Sequence, residues 1–225
     1  NFLKKKTLNE IINQKVGYLN QFTNIYVGKQ NITTQNNIKK ILKKNESKKT
    51  FSNSWKLIKT KKNYFYKDKR VKIKILNKNI HSRGLMDNLA MAIKIALDLG
   101  INKSIIKKTI PKIKHEGRID YIKKGKIHKK LFSSEKFLID GCHSESSAKN
   151  LAEHLKNIKF PKYGIWGMIK NKNPNNFIKQ FKGIFKKIIT IDINREQKSL
   201  SKNILLNIAK KNNFSVETAE NFETA

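Results

Sequence analysis

The run Leu138-Ile139-Asp140-Gly141-Cys142-His143-Ser144-Glu145 leaves an apolar stretch on a carboxylate, a glycine, an imidazole and a hydroxyl. An aspartate emerging from a buried strand accepts hydrogen bonds from ribose hydroxyls, and glycine lets the backbone turn sharply. Ser144 is placed to cap a following helix, whose N-terminus attracts anions. The same run also reads as an ordinary strand-to-helix turn. Arg118 stands 22 residues before Asp140, and two further polar segments, 167–172 and 192–195, end apolar runs. Lys15 closes a short helical pattern and Asn88 lies in a longer one. The plainer expectation for Lys15 is one solvated lysine among many, for Asn88 a helix cap, and for Arg118 a partner of Glu116 or Asp120. Cys142 reads as a packed thiol. His81, His115, His128 and His154 lack metal-ligand spacing and are expected to face solvent.

The elements that hold these groups follow from periodicity. Residues 7–14 read as a helix with Thr7 and Glu10 in capping-box positions, followed by a turn at Gly17. Residues 22–30 read as a buried strand closed by Gly28, and 33–46 as a helix with Ile38, Ile41 and Leu42 on one face. Residues 64–76 alternate on either side of Asp68-Lys69, which predicts a hairpin. Helices follow over 87–99, stopped by Gly100, and over 103–110, stopped by Pro111. Proline, glycine and mixed charge then mark a domain boundary within 111–117. Beyond it, strands over 137–141, 163–168 and 187–193 alternate with helices over 144–155, 174–181 and 200–211, and a short apolar run covers 214–216. This rhythm implies an α/β fold built on a parallel sheet with helices on both faces, and ligands outside the strands' carboxyl ends.

Composition narrows the partners. The 225 residues suffice for one large domain or two ordinary ones, and the single cysteine excludes an internal disulfide and fits a reducing compartment. No apolar run approaches the roughly 20 residues that span a bilayer. The net charge of +34 comes from 50 basic residues, of which only Arg70, Arg83, Arg118 and Arg195 are arginine. Readers of phosphates and bases favour arginine's bidentate fork, and no stacking aromatics accompany a basic stripe here. Lysine, asparagine and isoleucine are in surplus along the whole chain, as an AT-rich coding bias produces. The charge therefore points to attraction for small anions rather than to a nucleic-acid partner.

In their order the motifs resemble the folylpolyglutamate synthase and dihydrofolate synthase family of Mur-type ATP-dependent amide ligases. The family's strand-end D-G-A-H-N-P is similar to residues 140–145, and its W-P-G-R to His115-Glu116-Gly117-Arg118. Its helix-opening L-P-G-R-H-Q-x-x-N-A is similar to residues 80–89, which keep Arg83 and Asn88, and its G-M-L-x-x-K-D to residues 167–173. The segment from Thr7 to Leu19 is similar to T-L-E-x-I-A-x-E-K-A-G-I, which puts Lys15 at the family's carbamylated, metal-site lysine. The chain departs from these patterns at Gly84-Leu85, Ser144-Glu145 and Asn173.

The resemblance implies the C-terminal part of a P-loop ATPase-type Mur ligase central domain over 1–112. Over 113–225 it implies a truncated, Rossmann-like Mur ligase C-terminal domain with a mostly parallel sheet. It implies a cytoplasmic, monomeric enzyme that uses ATP and Mg²⁺ to add L-glutamate to a folate or dihydropteroate carboxylate through an acyl phosphate, with no nucleic-acid or membrane partner. Asn88 would then contact adenine, Arg118 the ATP phosphates and Asp140 the ribose. His143 would lie beside the reacting groups, and a carbamate on Lys15 would hold magnesium. The family's glycine-rich phosphate loop and Asp-His metal motif would precede Asn1, and its last strand would follow Ala225. No G-x-x-x-x-G-K-[ST] occurs. The chain accordingly reads as an internal fragment without turnover of its own. Cell-wall Mur ligases, with a nucleotide-linked peptide acceptor, are the nearest alternative; they usually carry D-Y-A-H at the strand end, so Gly141 favours folate.

Overall fold

Thr7 and Glu10 close the first helix on each other: Glu10 Oε2 accepts from the Thr7 amide at 2.6 Å, and Thr7 Oγ1 accepts from the Glu10 amide at 3.3 Å. This is the capping box read from the sequence. The computed structural model describes residues 7–16, 19–61 and 63–225, so the turn expected at Gly17 lies outside the described residues. The chain forms two units, one of Asn1–Lys78 with Gly84–Ile113 and one of Asn79–Arg83 with Lys114–Ala225.

In the first unit, α1 (Leu8–Val16) buries Ile12. β1 (Ile25–Val27) and β2 (Lys49–Phe51) pair in parallel, joined through α2 (Ile32–Leu42), and Ile25, Val27 and Leu42 make a small core. Asn31 caps α2, its Oδ1 accepting from the Thr34 amide at 2.8 Å. β3 (Lys56–Lys59), β4 (Tyr64–Lys67) and β5 (Lys72–Ile75) form an antiparallel meander. Its second turn is the expected hairpin, closed by Asp68 Oδ1, which accepts from the amides of Arg70 and Val71 at 2.9 Å each. α3 (Arg83–Asp98) buries Met86, Leu89, Ala90 and Ile93 and begins four residues before the apolar pattern announces it. α4 (Lys103–Thr109) runs on into a single 3₁₀ turn, Ile110–Lys112, whose first turn accommodates Pro111.

In the second unit, β6 (Asp120–Tyr121) and β7 (Leu138–Ile139) make a short antiparallel ribbon around α5 (Lys126–Lys130). There follow α6 (Glu145–Lys156), β8 (Tyr163–Trp166), α7 (Pro174–Lys179), β9 (Lys187–Thr190), α8 (Lys202–Lys211) and β10 (Val216–Thr218). The strands β8 to β10 are parallel, in the order β10-β9-β8. Two expectations are corrected here. The 137–141 strand does not join this sheet, because its backbone is committed to residues 117–122 by the bonds Ile122 N to Phe137 O and Gly141 N to Gly117 O. Nor do helices cover both faces of the sheet among the described residues. Strands that step in one direction with right-handed crossovers keep every helix on one side. Apolar residues of α6, α7 and α8 accordingly share one core with Trp166 and Ile188, whereas Tyr163 and Ile165, at the alternate positions, are 63% and 37% exposed. Among the described residues, no helix is long and apolar enough to cross a membrane.

Candidate functional site

Asp140 binds two separated stretches of backbone. Its Oδ2 accepts from the Ile119 amide at 2.7 Å and its Oδ1 from the Cys142 amide at 2.8 Å. The Gly141 amide donates to Gly117 O at 2.8 Å. The loop so held is strained at the β-branched Ile119, with φ +48°, whereas Gly117 takes φ +65° as glycine readily does. A left-handed non-glycine residue costs about 1–2 kcal/mol. Ile119 is held there by burial of its side chain and by the bond from its amide to Asp140.

Between these two residues stands Arg118, with its guanidinium beside the Gly141 turn: a Cβ on Gly141 would lie 3.9 Å from Arg118 Nη1. Neither partner expected of Arg118 takes it. Asp120 instead accepts from the Gly117 amide at 3.2 Å and pairs with Lys114 at 3.6 Å, and no ion pair to Arg118 occurs among the described residues. A half-buried cation without a carboxylate is equipped to meet an anion from outside.

His143 is exposed, and its Nδ1 lies 2.9 Å from Gly141 O. A carbonyl only accepts, so Nδ1 carries the proton and Nε2 of the neutral ring is the basic nitrogen. The Ser144-Glu145 departure is absorbed by a second capping box: Ser144 Oγ accepts from the Ser147 amide at 3.3 Å, and Ser147 Oγ from the Ser144 amide at 3.0 Å. The Cys142 thiol is pushed far above the usual thiol range, first by burial and then by the Asp140 charge, so it stays protonated. Cys142 is a packed thiol, as its sequence position suggested.

The other two strand-end segments clasp each other. Ile169 bridges Ser199, Lys170 N donates to Lys198 O at 2.7 Å, and Leu200 N donates to Met168 O at 2.8 Å. A Cβ on Gly167 would stand 2.9 Å from Ile193 Cγ1, so the close approach needs glycine. Ser201 caps α8, and Asp192 supports the same helix start, its Oδ1 accepting from the Lys202 amide at 2.8 Å.

In the first unit Asn88 is exposed and lies well inside α3, so it is no cap. It lines a cavity of about 290 Å³ with Gly28, Lys29, Gln30, Gly84, Asp87 and Met91. Of these, Lys29 and Gln30 at the end of β1 were not singled out from the sequence, although their place after a buried strand was the available signal. Lys15 is exposed in the last turn of α1 and does not line this cavity. Arg118, Asp140 and His143 thus gather in the second unit, while Asn88 and Lys15 occupy separate places in the first. Of the four histidines expected to face solvent, one is corrected: His154 is half-buried with Nε2 2.8 Å from the Tyr121 hydroxyl, whereas His81 is exposed, with its ring edge-on to the same tyrosine.

No protein-family profile matches the chain, and no curated protein matches it. Solved structures do. A Mycobacterium tuberculosis folylpolyglutamate synthase complexed with ADP superposes with a TM-score of 0.85 at 14% identity, over 100% of this chain and 51% of that one. Escherichia coli FolC in complex with DHPP and ADP gives 0.77 at 14% identity, over 94% and 48%. A Yersinia pestis bifunctional folylpolyglutamate synthase/dihydrofolate synthase complexed with AMPPNP and Mn ion gives 0.77 at 12% identity, over 100% and 51%. The chain has the α/β fold of the folylpolyglutamate synthases it matches, and it spans about half their length.

Proposed function

We propose that this chain supplies part of an ATP-dependent ligase that joins L-glutamate to the carboxylate of a folate or of dihydropteroate. The observation that carries the reading is the Asp140 staple, which holds an unpaired arginine and an exposed imidazole on one turn. The solved structures of like fold were obtained with ADP, AMPPNP and DHPP, which supports a nucleotide and a folate-type acceptor as small-molecule partners.

The residues present fit the anionic end of a nucleotide. Arg118 offers a guanidinium with no ion-pair partner among the described residues, and the turn leads into a capped helix of 12 residues. ATP supplies the phosphoryl group that activates the acceptor carboxylate as an acyl phosphate for attack by the glutamate amine. In this chain, Arg118 neutralises phosphate charge, Asp140 holds the ribose with the lone pairs its two backbone bonds leave free, and Asn88 contacts adenine. His143 presents Nε2 as a proton acceptor beside the reacting groups. Placement and charge neutralisation are the main demands of phosphoryl transfer. The described residues do not by themselves fit a magnesium ion: they hold no group of three or more carboxylate, imidazole or thiol side chains able to ligate a metal, and Lys15 stands on an open surface. No step is assigned to the metal.

The test is a glutamate-ligation assay on the 225 residues beside a chain extended at both ends. The extended chain is expected to consume ATP and form the amide. The 225 residues, which contain no G-x-x-x-x-G-K-[ST], are expected to form none. Failure of every extended chain to ligate would refute the reading.

A further inference from the structure

The chain leaves the first unit after Lys78, lends Asn79–Arg83 to the second, and returns at Gly84. What this excursion meets is aromatic and titratable. The His81 ring stands edge-on to Tyr121 with centroids 5.8 Å apart, and tilted against His154 at 5.4 Å. Tyr121 and His154 are themselves in ring contact at 6.0 Å, in addition to their hydroxyl-to-Nε2 hydrogen bond. Ile80, beside His81, is buried. No carboxylate forms an ion pair with either imidazole among the described residues. The groups that face them are Lys123, Tyr121, Asp140 and each other.

We propose that His81, Tyr121 and His154 form an acid-released catch that fastens residues 79–83 onto the second unit. The packing is between uncharged rings, and charge is unwelcome there. Both imidazoles titrate below the usual histidine value of 6.5. Burial is the first cause for each; Lys123 adds to it for His81, and His81 adds to it for His154 against the opposing pull of Asp140. His81 remains accessible as a residue, but the ring side turned to Tyr121 and His154 has lost water. The sign follows from linkage. A histidine whose docked pKa is depressed binds protons more readily when released, so docking is fully stable above about pH 6.5 and weakens as pH falls toward the docked values.

The excursion ends on Arg83, the first residue of the helix that carries Asn88, and Tyr121 lies two residues after Ile119, whose amide Asp140 holds. The inference goes beyond the ligase reading and stands without it.

Hydrogen exchange of the whole chain at pH 7.5 and 5.5, corrected for the intrinsic pH dependence of exchange, tests the catch, with the β9 amides as internal reference. Protection of residues 79–83 should fall at pH 5.5, by up to about tenfold for each imidazole that takes a proton only when released, while β9 keeps its protection. The double variant His81→Phe, His154→Phe keeps the rings without the charge and should hold residues 79–83 equally at both pH values. His81→Phe alone, at an accessible position, should lose less protection on acidification than the parent and serves if the double variant misfolds. The proposal is overturned if the parent shows no pH-dependent loss at 79–83, if β9 loses protection to the same extent, or if the phenylalanine variants open as the parent does.

Discussion

Asp140 and Asp192 invite comparison, because each follows the carboxyl end of a strand and precedes a helix, yet they do different work. Asp192 accepts one amide proton, from Lys202, and so supports the start of α8 beside its cap Ser201. Its loop turns back to bond with residues 168–170. Asp140 accepts two, one of them from Ile119 across 21 residues of sequence, and in doing so fixes a strained loop whose central residue is an unpaired arginine. The same side chain in similar local contexts therefore serves the helix in one place and positions a charge in the other. What separates them is the long-range bond.

The comparison can be broken by substitution. Asp140→Ala removes both charge-assisted bonds and orphans the buried Ile119 amide, so the second unit should lose about 2–4 kcal/mol in denaturant titration. Gly167→Ala should come next, at about 1–3 kcal/mol, because the new methyl collides with Ile193 unless the clasped loops separate. Asp192→Ala should cost only about 1 kcal/mol, the value of one hydrogen bond, because Ser201 still caps α8. A cost for Asp192→Ala equal to that of Asp140→Ala would erase the distinction. Arg118→Ala should change stability by no more than about 0.5 kcal/mol, since it makes no ion pair among the described residues.

Local chemistry was legible in the sequence. Thr7 with Glu10, Asn88 on a helix, the hairpin around Asp68 and the cap at Ser144 all follow from neighbours three or four residues apart. β2 and β3 were not legible, since Lys49-Thr50-Phe51 and Lys56-Leu57-Ile58-Lys59 are too short and too rich in lysine to announce a strand. The Arg118–Asp140 arrangement was legible only in part. The two residues were singled out as members of one site, but the bond to Ile119 depends on a left-handed β-branched residue, which propensity opposes and tertiary contacts impose. The placement of residues 137–141 in a parallel sheet failed for the same reason: the backbone partners at 117–122 prevailed over the alternating strand-helix rhythm. The packing of His81 against His154 was not legible, because 73 residues separate them and neither lies in a ligand-spaced pair.

The most direct test of the account is the glutamate-ligation rate of the extended chain carrying Arg118→Ala, measured with its thermal midpoint. The account predicts a fall of about a hundredfold or more in kcat/KM for ATP with an unchanged midpoint, as removal of a preorganised charge partner produces. A rate equal to that of the parent chain would contradict it.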